Sequence, residues 1–137
     1  MFDLPNVVKA CGGRGMGGRL TREGGDFFDR VPEGADLYIL KFILHDWDDE
    51  RSVKILRNVR AAMAEGARVA VIEAVLPPTP VPHPAWLMDL NMLAITEGRE
   101  RTAAEYGALF EAAGLVLQRV VDTASPLSVL IAAARPE

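Results

Sequence analysis

The chain has 137 residues, of which 50% are hydrophobic and 25% charged, the size and balance of one globular domain. Its net charge of -4 at pH 7 gives no reason to expect nucleic acid or an anionic membrane as a partner. One cysteine excludes an internal disulfide framework, two histidines argue against a structural zinc site, and no apolar run reaches the length of a membrane span. We therefore expect a soluble, cytoplasmic domain without a metal, and Asp3 and Pro5 interrupt any N-terminal signal peptide.

The N-terminal third of the chain predicts short strands separated by loops. Residues 1–8 ("MFDLPNVV") look like the last residues of a strand, and residues 12–18 are glycine-rich and predicted to form a loop. Residues 19–28 indicate a short strand followed by a Gly-Gly-Asp turn. The near-continuous apolar run over 35–44 ("ADLYILKFIL") predicts a strand that is buried on both faces.

The middle of the chain alternates between helical and extended patterns. Apolar residues recur every three or four positions over 48–66, which predicts a helix that begins among acidic residues and ends at Gly66. Residues 67–78 predict another buried strand, which two prolines terminate. A helix with few polar positions is predicted over 85–96.

The last part of the chain predicts one helix and a pair of strands. Thr102 and Glu105 form a T-x-x-E capping box at the start of a helix predicted over 102–114. Strands predicted over 115–123 and 127–135 are joined by a short turn, which favours antiparallel pairing. The whole pattern predicts an α/β domain with a mostly parallel sheet and a C-terminal antiparallel strand pair.

A glycine motif near the N-terminus has the spacing of a dinucleotide-binding loop. Gly13, Gly15 and Gly18 form G-x-G-x-x-G, which cradles a pyrophosphate when a strand precedes it and a helix follows. No helical pattern follows here, and the chain soon reaches Gly24 and Gly25. The motif is therefore interpreted as a loop, and a nicotinamide-dependent oxidoreductase is a poorly supported alternative.

Ionisable side chains stand near the carboxyl ends of the predicted parallel strands, where open α/β sheets bind their ligands. Asp3 follows the first strand fragment and Asp26 the second strand. Lys41 and His45 stand at the end of the third strand and Glu73 at the end of the fourth. Each group alone could be a cap or a salt-bridge partner, but their convergence predicts a ligand site at this rim.

His45 is the strongest catalytic candidate on this rim. It closes a predicted buried strand and is followed by the acidic segment "DWDDE". A histidine that titrates near neutral pH suits general-base work on a hydroxyl, with a carboxylate such as Glu73 or Glu100 on its other ring nitrogen. The alternative interpretation is a capping or core histidine.

Several segments together resemble one enzyme family. "FDLPNVV", "GGDFFDRVPEGADLYILKFILHDWDDE", "VIEAVLPP", "MDLNML" and "GRERTAAEYGALFEAAG" follow one another as in S-adenosylmethionine-dependent O-methyltransferases. The group resembled includes plant caffeic acid and chalcone O-methyltransferases and bacterial antibiotic and polyketide O-methyltransferases. The match covers nearly the whole chain except residues 9–20, and it implies a Rossmann-like class I methyltransferase fold.

The resemblance also implies how S-adenosylmethionine would be bound. Asp3 would hold the ribose hydroxyls, Asp26 and Phe27 would flank the adenine, and Lys41 would contact the methionine end. The cofactor side of the loop after His45 would be framed by Asp46 and Trp47.

The same resemblance implies roles in catalysis and in acceptor binding. His45 matches the catalytic base, bracketed by Glu73 and Glu100, and no metal is needed when a histidine deprotonates the hydroxyl. Met92 and Thr96 match positions that line the acceptor pocket, although plant members usually carry asparagine at the latter. The implied reaction is methyl transfer to a hydroxyl of a small aromatic or polyketide-like acceptor.

The chain departs from the family pattern at its N-terminus. The glycine signature D-x-G-G-G-x-G, its strand and the helical dimerisation domain lie before "FDLP" in the family, and they are not in these 137 residues. We therefore expect residues 1–137 to form a single truncated catalytic domain that acts as a homodimer or is completed by an N-terminal segment. The alternative is an inactive remnant or interaction module that does not bind the cofactor alone.

Overall fold

A computed structural model describes residues 1–11, 18–96 and 98–136. The predicted loop over 12–18 lies outside the described residues except for Gly18, an exposed turn residue with φ of 79°. The elements are, in chain order, β1 (Phe2–Asp3), α1 (Pro5–Ala10), β2 (Glu23–Gly24), β3 (Leu37–Lys41), α2 (Asp49–Ala62), β4 (Arg68–Leu76), α3 (Ala85–Ile95), β5 (Arg101–Thr102), α4 (Ala103–Ala112), β6 (Leu115–Asp122) and β7 (Leu127–Ala134).

The strands form a mixed α/β arrangement in two sheets. β1 and β2 pair in parallel, while the larger sheet has the order β3-β4-β7-β6, with β5 beside the end of β4. β3 and β5 are parallel to β4, whereas β7 is antiparallel to both β4 and β6. The predicted α/β class and the C-terminal antiparallel pair are confirmed.

Local sequence explains where the two core helices begin and end. Asp48 caps α2, its side chain accepting a hydrogen bond of 2.8 Å from the backbone N–H of Arg51. The predicted capping box of Thr102 and Glu105 is present at the start of α4. α2 ends at Ala62, so Gly66 does not cap it as predicted but forms a turn with φ of 78° before β4.

The core lies between the larger sheet and helices α2 and α4. Apolar side chains of α2 and α4 pack there against buried residues of β4, β6 and β7. Fully buried members include Ile55, Leu56, Tyr106, Phe110 and Leu130. This packing holds β4 in place beside the loop that follows β3, and that loop carries His45.

The prediction that β3 is buried on both faces is wrong. Leu37 and Ile39 are 49% and 61% exposed, whereas Tyr38 and Leu40 on the opposite face pack against the core, so only one face of β3 is covered among the described residues. Within the same residues, β3 pairs only with β4 and forms one edge of the sheet. α3 also exposes apolar side chains, at Leu87, Leu90, Leu93 and Ile95. Within the described ranges, no helix combines the length and apolar character needed to cross a membrane.

Candidate active site

His45 lies on a short turn of 3₁₀ helix, Leu44–Asp46, between β3 and α2. The residue is only 6% exposed. Its Nδ1 atom is 2.9 Å from Oε1 of Glu100 and 3.5 Å from Oε2 of Glu73. The structure therefore brings together the three residues that the sequence predicted for catalysis.

Glu73 reaches His45 from the interior of β4. The strand continues to Leu76, so Glu73 does not end the strand as the sequence suggested. Lys41, the last residue of β3, pairs with Ile72, and beyond this point β3 leaves the sheet. Glu73 occupies the space that opens there, and its Oε1 atom accepts 3.0 Å hydrogen bonds from the backbone N–H groups of Ile43 and Leu44.

Glu100 reaches His45 from the segment that leads into β5. It is 1% exposed, and its backbone N–H donates a 2.9 Å hydrogen bond to Oδ1 of Asp89 on α3. Both acids are thus held by backbone contacts, in addition to their contacts with the imidazole. Their fixed positions favour one orientation of the ring.

The electrostatics of the site make His45 a stronger base than an ordinary histidine. Burial alone lowers the pKa of His45, but the Glu100 hydrogen bond and the charges of Glu73, Glu100 and Asp46 together raise it above its usual range. Burial raises the pKa of Glu73 to about 7, although the charge of His45 opposes this shift. His45 and Glu73, whose pKa values are both raised, therefore retain their protons at a higher pH than they would in water.

The two ring nitrogens of His45 have different surroundings. Nδ1 lies 2.9 Å from Oε1 of Glu100, which is an acceptor when ionised, and this contact favours the neutral tautomer with its hydrogen on Nδ1. Nε2 then has a free lone pair, and it lies 3.6 Å from Oδ1 of Asp46. The ring of Phe42 stacks on the imidazole at 5.3 Å between centroids. This arrangement can accept a proton at Nε2 and stabilise the resulting imidazolium through Nδ1.

Donor atoms of His45, Glu73 and Glu100 lie within 4.8 Å of one another, a spacing that a divalent cation could bridge. The described hydrogen bonds already engage Nδ1 of His45, Oε1 of Glu73 and Oε1 of Glu100. The expectation of a site without a metal stays a prediction.

A cavity of about 530 Å³ lies between the β1–β2 sheet and β3. Of the six predicted cofactor-binding residues, five line it: Asp3, Asp26, Phe27, Lys41 and Trp47. The sixth, Asp46, is not part of its lining and lies beside Nε2 of His45. The volume is in the range of small-molecule and cofactor sites.

The cavity combines charged ends with an aromatic wall. Asp3 and Asp26 are exposed, and each accepts a backbone hydrogen bond through Oδ1, from Leu4 at 2.7 Å and from Phe28 at 2.8 Å. The rings of Phe28 and Trp47 meet edge to face at 4.8 Å. These contacts fix both carboxylates and both rings at the cavity wall.

The predicted acceptor residues lie on α3 and at its end. Met92 is half-buried within α3, and Thr96 is the C-terminal cap of that helix. The Thr96 hydroxyl donates to the Met92 carbonyl at 3.0 Å and accepts from the Gly98 N–H at 3.1 Å. Its hydrogen bonds are therefore made within this segment.

Two residues of the site were missed by the sequence interpretation. Gly98 lies against the backbone of the His45 turn, where a Cβ atom would overlap the carbonyl oxygen of His45. Arg101 is completely buried and donates hydrogen bonds to the carbonyls of Leu44 and Trp47. Both belong to the quoted segment "GRERT", from which only Glu100 was selected.

Comparison with known proteins gives matches over most of the chain. Residues 1–116 match the family model of the O-methyltransferase domain. The phenazine O-methyltransferase PhzM of Lysobacter antibioticus is 46% identical over 134 residues, covering 95% of this chain and 39% of that protein. CalO1, a methyltransferase of calicheamicin biosynthesis solved in an SAH-bound form, aligns with a TM-score of 0.90 at 44% identity, over 97% of this chain and 40% of that one. NcsB1 from neocarzinostatin biosynthesis, solved with S-adenosylmethionine and 2-hydroxy-5-methyl naphthoic acid, aligns with a TM-score of 0.85 at 38% identity, over 97% and 40% of the two chains.

The fold is that of part of a Rossmann-like class I methyltransferase domain. The chain belongs to the O-methyltransferase domain family, which confirms the resemblance found in the sequence. S-adenosylmethionine is the cofactor with which this family works, as its presence or that of SAH in the related structures shows. The chain spans 39% of the length of PhzM and 42% of the length of a second curated relative, the O-methyltransferase SfmM3 of Streptomyces lavendulae.

Proposed function

We propose that this chain carries the cofactor-binding and catalytic part of an S-adenosylmethionine-dependent O-methyltransferase, with His45 as the general base. The observation that carries the proposal is the 2.9 Å contact between Nδ1 of His45 and Glu100, which directs Nε2 away from the buried acids. The acceptor is a hydroxyl of a small aromatic or polyketide-like molecule.

The residues around the 530 Å³ cavity suit the parts of S-adenosylmethionine. Asp3 supplies a carboxylate for the ribose hydroxyls, and Asp26 supplies one for the adenine amino group. Phe27 and Trp47 supply apolar surface for the adenine ring, and Lys41 supplies a cation for the methionine carboxylate. When bound, the cofactor supplies an activated methyl group on a sulfonium sulfur.

His45 would remove the proton from the acceptor hydroxyl at Nε2, which leaves an oxyanion ready for in-line attack. The positive charge formed on the imidazole is stabilised by Glu100, hydrogen-bonded at Nδ1, and by Glu73 at 3.5 Å. A base with a raised pKa drives this proton transfer further than an ordinary histidine would.

The proposed acceptor class rests on the relatives and on α3. NcsB1 is solved with a hydroxylated naphthoic acid, and PhzM is named for a phenazine. Met92 offers a flexible apolar contact for a planar ring of this kind. Because the Thr96 hydroxyl is occupied within its own segment, Thr96 would shape the pocket rather than hydrogen-bond the acceptor.

We further propose that the working enzyme includes polypeptide in addition to these 137 residues, either a preceding segment or a second copy in a homodimer. The support is the length of the relatives, of which this chain spans 39 to 42%. A second support is the edge of β3 beside the cavity, which pairs with no further strand within the described residues. A cytoplasmic location remains a prediction from the sequence.

Calorimetric titration of the chain with S-adenosylhomocysteine tests cofactor binding directly. We expect saturable heat from the native chain and none from Asp3→Ala. Asp29→Ala, which removes an exposed acid outside the cavity lining, is the matched control and should bind as the native chain does.

Transfer of a labelled methyl group to hydroxylated naphthoic acids and phenazines tests the reaction. His45→Ala should bind S-adenosylhomocysteine normally and lose transfer. Unchanged transfer in His45→Ala would remove His45 from the base role. Absence of binding at millimolar ligand would instead support the inactive-module alternative for the isolated chain.

A further inference from the structure

The turn that carries His45 has little internal support. It consists of three residues, Leu44–Asp46, and is followed at once by the extended residue Trp47. So short a 3₁₀ segment makes few hydrogen bonds of its own. Its position therefore depends on side chains from other elements.

Two buried side chains hold this turn. Glu73 accepts hydrogen bonds from the backbone N–H groups of Ile43 and Leu44 at its start. Arg101 spans the turn, since its Nη1 donates to the Leu44 carbonyl at 3.0 Å and its Nη2 donates to the Trp47 carbonyl at 2.8 Å. The Ser52 hydroxyl reaches the same two carbonyls only at 3.3 and 3.5 Å.

Arg101 is itself rigidly placed. Its side chain is completely buried, and Nε donates to Oδ1 of Asp49 at 2.9 Å. Asp49 stands in the first turn of α2 and is half exposed to solvent, so the ion pair reaches the surface. The planar guanidinium can bind this carboxylate and two carbonyls at once, which an ammonium group cannot do in the same geometry.

Arg101 follows Glu100 directly in the chain. One dipeptide thus supplies both the carboxylate that accepts from Nδ1 of His45 and the cation that holds the backbone on either side of His45. A shift of the Arg101 contacts would change the separation between the imidazole and Glu100. The distance between Nδ1 of His45 and Oε1 of Glu100 therefore depends on the contacts that Arg101 makes.

We propose that Arg101 is a positioning residue for the general base, acting by fixing the His45 turn against Glu100. This role rests on the proposed function, because His45 is a general base only if the protein transfers a methyl group to a hydroxyl. The effect of Arg101 on the surroundings of the His45 ring can be measured whether or not the protein is active.

Arg101→Lys is the direct test, because it keeps the positive charge while losing the planar contacts. NMR titration of the histidine rings should show the pKa of His45 lower than in the native chain, since the contacts with Glu100 and Glu73 that raise it loosen. His83, the second histidine of the chain, supplies the reference ring signal for assigning the spectra. In an active preparation, kcat should fall about tenfold or more while the affinity for S-adenosylhomocysteine stays within about twofold.

Arg99→Lys is the matched control. Arg99 is partly exposed and pairs with Asp49 and Glu105, but it donates to neither Leu44 nor Trp47 among the described contacts. Its conservative variant should leave the His45 titration unchanged. An equal shift in both variants would overturn the proposal, as would a folded Arg101→Lys with native His45 titration and native kcat.

Asp49→Asn tests the positioning role of Arg101 if Arg101→Lys does not fold. It weakens the hydrogen bond between Nε of Arg101 and Asp49, and the charge of Asp49 is not among the main causes of the raised pKa of His45. We expect the same direction of shift at His45, and no shift would overturn the proposal. If the native chain transfers no methyl group, methyl transfer fails for the isolated chain, whereas the titration of His45 still confirms or overturns the positioning role.

Discussion

The backbone of Gly98 lies directly against the backbone of His45, so that a Cβ atom at position 98 would overlap the His45 carbonyl oxygen and lie 2.6 Å from the Trp47 nitrogen. The neighbouring atoms belong to main chain, which cannot move aside as the tip of a long side chain can. Gly98 thus sets how closely the segment that carries Glu100 approaches the His45 turn.

Gly98→Ala should therefore damage the site more than the fold. The added methyl group would push the His45 turn away from Glu100, and we expect kcat to fall by about tenfold to a hundredfold. Gly107→Ala is a suitable control, since its Cβ would meet only the Leu117 side chain at 3.9 Å. Native kcat in a folded Gly98→Ala protein would contradict the close approach.

The two acids beside His45 should differ when each is replaced by its amide. Glu100→Gln keeps an acceptor near Nδ1 but removes the charge that stabilises the imidazolium, so we expect kcat to fall by about a hundredfold or more. Glu73→Gln keeps an oxygen for the Ile43 and Leu44 N–H groups and should reduce kcat less. Parallel measurements of kcat and S-adenosylhomocysteine affinity check this order, and a larger effect of Glu73→Gln on kcat would contradict it.

The stability of the domain should fall as the pH rises through neutrality. Glu73 has a pKa of about 7 in the folded chain against an ordinary value near 4.3, so the folded state binds more protons than the unfolded state between these values. His45, whose folded pKa is also raised, contributes stability below about pH 6.5 that is lost as the pH rises through its folded pKa. Glu73 therefore makes the free energy of unfolding decrease from about pH 5 to pH 7, and His45 adds to the decrease above about pH 6.5, each by on the order of 1 kcal/mol per unit of pKa shift.

Urea unfolding at several pH values measures this dependence. Glu73→Gln has no proton to lose at that position, so its free energy of unfolding should vary less over the same range. Asp49 and Glu105, whose pKa values are lowered by their ion pairs and hydrogen bonds, add a separate loss of stability only below about pH 4. Equal slopes for the native chain and Glu73→Gln between pH 5 and 8 would show that Glu73 is not the titrating group.

The sequence predicted the elements whose signals are local. The capping box of Thr102 and Glu105 and the apolar period of α2 depend on residues within one or two turns of each other, and both appear as expected. The convergence of His45, Glu73 and Glu100 was also predicted, partly from their strand ends and partly from the family resemblance.

What the sequence did not predict depends on tertiary neighbours. An apolar run such as that of β3 indicates a strand, but whether each of its faces is covered depends on elements from elsewhere in the chain that pack on the sheet. The role of Arg101 was hidden for a similar reason, since an arginine in a polar segment is normally exposed. Its burial follows only from the packing of β5 against the His45 turn.

The open edge of β3 should make the chain self-associate. Leu37 and Ile39 are large, exposed and on a strand that pairs on one side only among the described residues, a combination that invites pairing with another edge. The double variant Leu37→Lys with Ile39→Lys should weaken association by about tenfold or more, measured by sedimentation velocity over a range of protein concentrations. Leu87→Lys with Leu90→Lys places the same two charges on the exposed face of α3 and serves as the comparison. Association that persists in the β3 variant but disappears in the α3 variant would assign the contact to α3 instead.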